Sequence, residues 1–125
     1  MNKGTIIINT LKGDQDHLIQ AAESCLNQKN YEIQLIVSTI ANDPSVKTLR
    51  KHKVDWVINP KPGIYSQLNL ATHQIKNEWW CYMSGNDVML PHKFEQEIAL
   101  MEKYDKKICY SDYNVCDCSL KFQKV

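Results

Sequence analysis

The 125-residue sequence contains no apolar run of membrane-spanning length, so no helical membrane span is expected. It also lacks a surplus of charge: 15 Lys and Arg against 14 Asp and Glu leave a formal net charge of +1. A chain this close to neutral has no overall field to recruit nucleic acid or an anionic membrane, and any phosphate must be held by local geometry. The densest basic stretch, Lys47 to Lys53, reads as a solvated helix face. A Walker-type glycine-rich loop is missing too, which argues against a phosphate-binding α/β regulator. Ahead of the first apolar run stands only the polar Asn2-Lys3-Gly4, without the apolar core of a signal peptide. The five cysteines are an odd number and, with no secretory segment, suit a reducing compartment, so a cytoplasmic location is the expectation. Cys116 and Cys118 lie one residue apart with Cys109 nearby, but structural zinc draws paired ligands from two separate places, and a second pair is lacking.

What is present suits a folded domain. The hydrophobic fraction of 43% and charged fraction of 23% show none of the apolar depletion that marks disorder. The length allows one hydrophobic core and is short for two, so a single domain over 1–125 is expected, with the tail after about residue 112 undecided between a small strand and loose chain.

Thr5-Ile6-Ile7-Ile8-Asn9-Thr10 is a β-branched run ending on polar residues, the pattern of a strand buried on both faces. From Asp14, placed as N-cap, the period becomes helical, with Leu18, Ala21, Ala22, Cys25 and Leu26 on one face. Tyr31 to Thr39 is a second strand. Asp43-Pro44 opens a short helix with Val46 and Leu49 as its apolar side, and Val54 to Ile58 is a third strand. Pro60-Lys61-Pro62-Gly63 is a loop, after which Ile64, Leu68, Ala71 and Ile75 recur at helical spacing. Trp79 to Met83 is a fourth strand and Ser84-Gly85-Asn86-Asp87 a polar turn. Leu90-Pro91 starts a further helix with Phe94, Ile98 and Met101 on one face, and Ile108-Cys109-Tyr110 is expected as a last strand.

Strands alternating with helices predict an α/β fold: a mainly parallel central sheet with helices on both faces. Ligands in such sheets gather beyond the carboxyl ends of the strands. That selects Asn9 to Lys12, Ser38 to Asn42, Asn59 to Gly63 and Ser84 to Asp87 as one candidate rim.

Three segments, in this order and spacing, resemble family 2 glycosyltransferases. The opening strand through Asn9-Thr10 is followed by a helix ending Ser24-Cys25-Leu26-Asn27-Gln28, like the family's Ser-x-x-x-Gln helix end. Pro62-Gly63-Ile64-Tyr65-Ser66-Gln67-Leu68-Asn69 is similar to its glycine-led helix with an Asn in the first turns. Met83-Ser84-Gly85-Asn86-Asp87 through Pro91 and Glu95 is close to the segment that carries the acidic metal motif. The resemblance runs from Thr5 to Asp112. It implies a GT-A-like nucleotide-diphospho-sugar transferase fold, of which this chain is the donor-binding half, and metal-dependent, inverting transfer of a sugar, from a UDP-sugar by implication, to a glycan or other hydroxyl acceptor. The acceptor platform would come from a second copy, a partner protein or a loose tail.

By matched position, Asn9, Thr10 and Leu11 would line the base pocket, although Thr10 also reads as a plain strand end. The family has a base-holding Asp at the end of the second strand, where this chain has Ser38 and Thr39, which carry no charge. Asp43 reads as a helix cap. Gly63 is either a turn glycine or a point of close phosphate approach, with Lys61 adding positive charge beside it. Tyr65 and Asn69 are placed on different sides of the following helix, Asn69 being the better match. Ser84 and Gly85 would touch the donor. Asn86 and Asp87 would hold Mn²⁺ or Mg²⁺, only Asp87 being anionic; read blind, the same four residues are a polar strand-to-helix turn. Asp87 and Asp112 are the candidate catalytic residues, Asp112 as general base with Asp117 behind it. His73 and His92 read as surface residues. The competing expectation, motivated by the missing acidic groups at Ser38 and Ser84, is a catalytically inactive nucleotide-binding or partner-binding module.

Overall fold

A computed structural model describes residues 1–11, 15–117 and 119–123. In chain order the elements are β1 (Asn2–Asn9), α1 (Gln15–Leu26), β2 (Tyr31–Ile40), α2 (Ser45–Thr48), β3 (Asp55–Asn59), α3 (Ile64–Thr72), β4 (Trp80–Ser84), α4 (Lys93–Lys103), β5 (Val115–Cys116) and β6 (Phe122–Gln123). The described chain divides into two compact units, Met1–Glu95 and Gln96–Val125.

The first unit is built on a parallel sheet of order β3-β2-β1-β4. β1 lies between two neighbours with both faces covered, which is why three consecutive isoleucines, Ile6, Ile7 and Ile8, are all completely buried. Alternation along the strands then sorts the helices. Ile7 and Ile36, directly paired, meet Ala71, Leu68 and Ile75 of the α3 region together with Val57. The opposite face, one residue out of phase, carries Met83, whose thioether receives the Cys25 thiol of α1 at 3.7 Å. Helices therefore cover both faces, as the alternating pattern predicts.

Most sequence-level boundaries hold within a residue or two. Asp14, the expected N-cap of α1, lies outside the described residues, as do Lys12 of the rim and Cys118 of the cysteine pair. α2 begins at Ser45, one residue later than expected, and Asp43 caps it: its Oδ1 accepts the Ser45 N–H at 2.9 Å and the Ser45 hydroxyl at 2.6 Å. The hydroxyl of Thr39 donates to the other carboxylate oxygen. Leu49 is buried, whereas Val46 stays partly exposed.

The Ser-x-x-x-Gln end of α1 has a mechanical role. Ser24 Oγ accepts the Met89 N–H at 3.0 Å, while Gln28 donates to Leu90 O at 2.8 Å and accepts the Phe94 N–H at 3.0 Å. These bonds seat the segment between β4 and α4 against α1. The Phe94 ring then packs edge-on to Tyr31, with centroids 5.1 Å apart, and crosses over Gly4. A Cβ at residue 4 would stand 2.2 Å from Phe94 Cε1, so Gly4→Ala must displace a buried ring. The expected cost is about 2 kcal/mol by overpacking, read as a lowered midpoint in urea unfolding; an unchanged midpoint would contradict this packing.

Burial pushes the Cys25 thiol up to about 12, with the neighbouring Cys81 adding to the effect. Its thiolate is scarce at neutral pH, so native-state alkylation of Cys25 should run at least about 100-fold slower than that of the exposed Cys116. Peptide mass mapping after timed iodoacetamide treatment reads this directly, and equal rates would contradict it.

In the second unit, Val115–Cys116 and Phe122–Gln123 form a small antiparallel pair. Ile108-Cys109-Tyr110 is not a strand, contrary to the expectation from its β-forming residues. A strand needs a neighbour to take its backbone hydrogen bonds, and these residues have none among the described ones; Ile108 is 87% and Tyr110 93% exposed. No helix of the described residues is long and apolar enough to cross a membrane.

Candidate functional site

Register brings the strand ends of the first unit level. Asn9 pairs with Ser38 on one side and Ser84 on the other, and Asn59 pairs with Ile40. Two backbone bonds carry the ladder one residue further, Thr10 N–H to Ser38 O at 3.0 Å and Gly85 N–H to Asn9 O at 3.1 Å. Thr10 and Gly85 are consequently in close approach. A Cβ on residue 85 would lie 3.1 Å from Thr10 Oγ1 and 3.3 Å from Leu18 Cδ1. The loop after β3 joins them through Gln67, which accepts the Gly63 N–H and donates to Thr10 O, each at 3.1 Å. Residues of all four segments selected by the sequence thus meet at the carboxyl ends of the strands.

Beneath this edge is a buried polar layer. Ser38 is completely buried, its hydroxyl donating to Gln67 O at 2.8 Å and accepting from Asn59 Nδ2 at 3.0 Å. Asn59, 1% exposed, also donates to Thr39 O at 2.8 Å. The structure therefore places Ser38 under the rim, with its hydroxyl already engaged in holding β2 to β3 and α3. Asn9 donates to Ile64 O at 3.4 Å, which ties β1 to the first turn of α3. The Oδ1 atoms of Asn9 and Asn59 are buried acceptors with no hydrogen-bond partner among the described residues.

Above that layer the rim is open. Leu11, Lys61, Ser84, Asn86 and Asp87 are exposed, with Thr10 nearly buried below them. The Ser84 turn is closed by two bonds, Asp87 N–H to Ser84 O at 3.2 Å and Asn86 N–H to Ser84 Oγ at 3.4 Å. That leaves the Asn86 and Asp87 side chains outside the turn. The α3 N-terminus adjoins the rim, with Gly63 in extended conformation (φ 162°) leading into it. Tyr65 and Asn69 were expected on different sides of α3, but four residues are close to one helical turn, so they share a side, and both are exposed. The inward position between them belongs to Gln67. Asp112, the candidate base, is an exposed residue of the second unit.

Divalent-metal chemistry at the rim would draw on hard oxygen donors. Asp87 offers one carboxylate, Asn86 one amide carbonyl, and no group of three His, Cys, Asp or Glu able to hold a metal occurs among the described residues. Such a donor set fits Mg²⁺ or Mn²⁺ only as a minority share, with the remaining positions filled by diphosphate oxygens and water.

No family model matches this sequence. The architecture, however, recurs in solved structures: the chain superposes on S. aureus TarS 1-349 in complex with UDP with a TM-score of 0.68, at 14% identity, covering 84% of this chain and 33% of that one. The fold is shared with TarS. A longer TarS structure gives a TM-score of 0.65 over 82% of this chain and 20% of its own. In sequence, the chain is 27% identical over 118 residues to an uncharacterized glycosyltransferase of Rickettsia prowazekii, spanning 90% of this chain and 37% of that protein. A Rickettsia typhi glycosyltransferase matches to the same extent, and one from Rickettsia bellii is 26% identical over 125 residues, 18% of its length. The chain thus spans little more than a third of these relatives at most.

The holding roles of Gln67, Asn59 and Gln28 do not follow from the sequence, although all three lie in segments that it singles out. Gln67 did leave a signal. It falls within the apolar stripe of α3, four residues before Ala71, where a polar side chain must find buried partners.

Proposed function

We propose that this chain is the donor-binding part of a GT-A-like, family 2-type glycosyltransferase, taking a nucleoside-diphosphate sugar, with UDP as the nucleotide, at the rim formed by Thr10, Gly63 and Gly85. The observation that carries this reading is the joining of those three segments by direct backbone and Gln67 hydrogen bonds at the carboxyl ends of parallel strands. Similarity to proteins named glycosyltransferases, and a fold shared with a UDP complex, support it.

On this reading Asn9, Thr10 and Leu11 border the base, whose imide N–H is the kind of donor that an unpartnered acceptor such as Asn9 Oδ1 can use. The N–H groups of the first turn of α3, after Gly63, face the diphosphate together with Lys61, and Gly85 keeps the floor low enough for close approach. Asp87 and Asn86 would hold a Mn²⁺ or Mg²⁺ ion that neutralises charge on the leaving diphosphate. Asp112 is the proposed base that takes the acceptor hydroxyl proton, giving inversion by a single displacement. The acceptor is a glycan or other hydroxyl compound.

Calorimetric titration with UDP, with and without Mn²⁺, tests the site, and release of UDP from UDP-sugars tests turnover. One observation favours the competing reading of a nucleotide-binding module without activity: among the described residues the rim carries a single carboxylate, Asp87. Metal-dependent UDP binding without UDP release across a panel of donors and acceptors would select the module; absence of UDP binding would sink both.

A further inference from the structure

We infer that Gln67 is the positioning residue of the donor rim: its buried carboxamide sets the spacing of the β1 and β2 ends and of the Gly63 turn that would receive the nucleotide. The inference rests on the reading of that rim as a nucleotide-sugar site. Gln67 is 1% exposed, and both halves of its amide are engaged. Nε2 donates to Thr10 O at the end of β1 and to Ser38 O in β2, each at 3.1 Å, while Oε1 accepts the Gly63 N–H at 3.1 Å. Its own backbone carbonyl receives the Ser38 hydroxyl at 2.8 Å, so side chain and main chain grip β2 together.

This task needs two donors and one acceptor on one neutral, planar head, which among side chains only Gln and Asn offer. Asn would be one methylene short of the reach from α3. Glu would still accept the Gly63 N–H but would set a carboxylate oxygen against two carbonyls. Met would fill the volume and serve none of the three groups. A side chain present only to fill space and one present to space the rim therefore behave differently on substitution.

The test uses the full chain with Gln67→Met and Gln67→Glu. Gly63 amide exchange is followed by NMR without ligand, and UDP affinity in Mg²⁺ by calorimetry at pH 8 and pH 5.5, each variant expressed relative to wild type at the same pH. For Gln67→Met we expect Gly63 to exchange at least about tenfold faster and UDP to bind about tenfold more weakly at both pH values. For Gln67→Glu we expect Gly63 protection to persist and the affinity deficit to shrink at least about threefold at pH 5.5. There the carboxyl, held up by the two facing carbonyls, protonates and regains a donor. Should Gln67→Met fail to fold, the pH response of Gln67→Glu carries the test alone. Wild-type Gly63 protection in Gln67→Met, or lost protection with undiminished UDP affinity, would overturn the positioning role. If wild type itself binds no UDP while Gly63 loses protection in Gln67→Met, the nucleotide reading has failed and the clasp is structural only.

Discussion

Asp87→Ala is expected to erase the difference that Mn²⁺ makes to UDP binding, while leaving metal-free binding and the fold unchanged. Asp87 is the one anionic side chain of the Ser84–Asp87 turn, and the bonds that shape this turn run through its backbone N–H and through Ser84, not through the carboxylate. Removing an exposed carboxylate should therefore change stability by no more than about 0.5 kcal/mol. Loss of a charged ligand is worth about 1.5–3 kcal/mol, so the Kd for UDP in Mn²⁺ should rise about 10- to 100-fold. Asp87→Asn should be nearly as deficient, because the volume is kept and the charge is not. A wild-type chain whose UDP affinity ignores Mn²⁺, or an Asp87→Ala variant that still responds to it fully, would remove the metal from the account.

The largest expected loss of stability comes from Gln28→Leu. Gln28 is 5% exposed and makes three bonds at once: to Ser24 O at 3.0 Å, to Leu90 O at 2.8 Å and from the Phe94 N–H at 3.0 Å. Leucine keeps the packing volume but strands the buried Phe94 N–H and the part-buried Leu90 carbonyl, the first costing about 1–3 kcal/mol and the second less. We expect a loss of about 3 kcal/mol in urea unfolding, and freer amide exchange at Met89 and Phe94 before global unfolding. If Gln28→Leu unfolds at the wild-type midpoint, the seating of the segment after the rim does not depend on this residue. Ser24→Ala, which removes one acceptor from Met89, should lie between the two.

These two residues show what the sequence discloses and what it hides. The strand ends were legible because burial on both faces leaves long β-branched runs, and the polar stop at Asn9-Thr10 marks where cover ends. Asp43 was legible as a cap because its partners sit two residues away. Gln28 stood out as part of a motif, yet its work depends on partners 62 and 66 residues further along, which no local period reveals. Ser38 was placed on the rim by strand position; only the packing of α3 and β3 shows its hydroxyl bound from below. The misassigned strand at Ile108 to Tyr110 has the same origin. Its residues favour extended chain, but pairing is a property of neighbours, and β propensity alone does not supply one.

Paramagnetic broadening by Mn²⁺ in the presence of UDP tests the central claim most directly. With a nitrogen-15-labelled chain, trace Mn²⁺ plus UDP should broaden amides of Gly85, Asn86 and Asp87 first, then Thr10, Leu11 and the first turn of α3 after Gly63, and should spare β3 residues Asp55 to Val57. Broadening centred away from the Ser84–Asp87 turn, or the same pattern with and without UDP, would contradict a metal and diphosphate held jointly at this edge of the sheet.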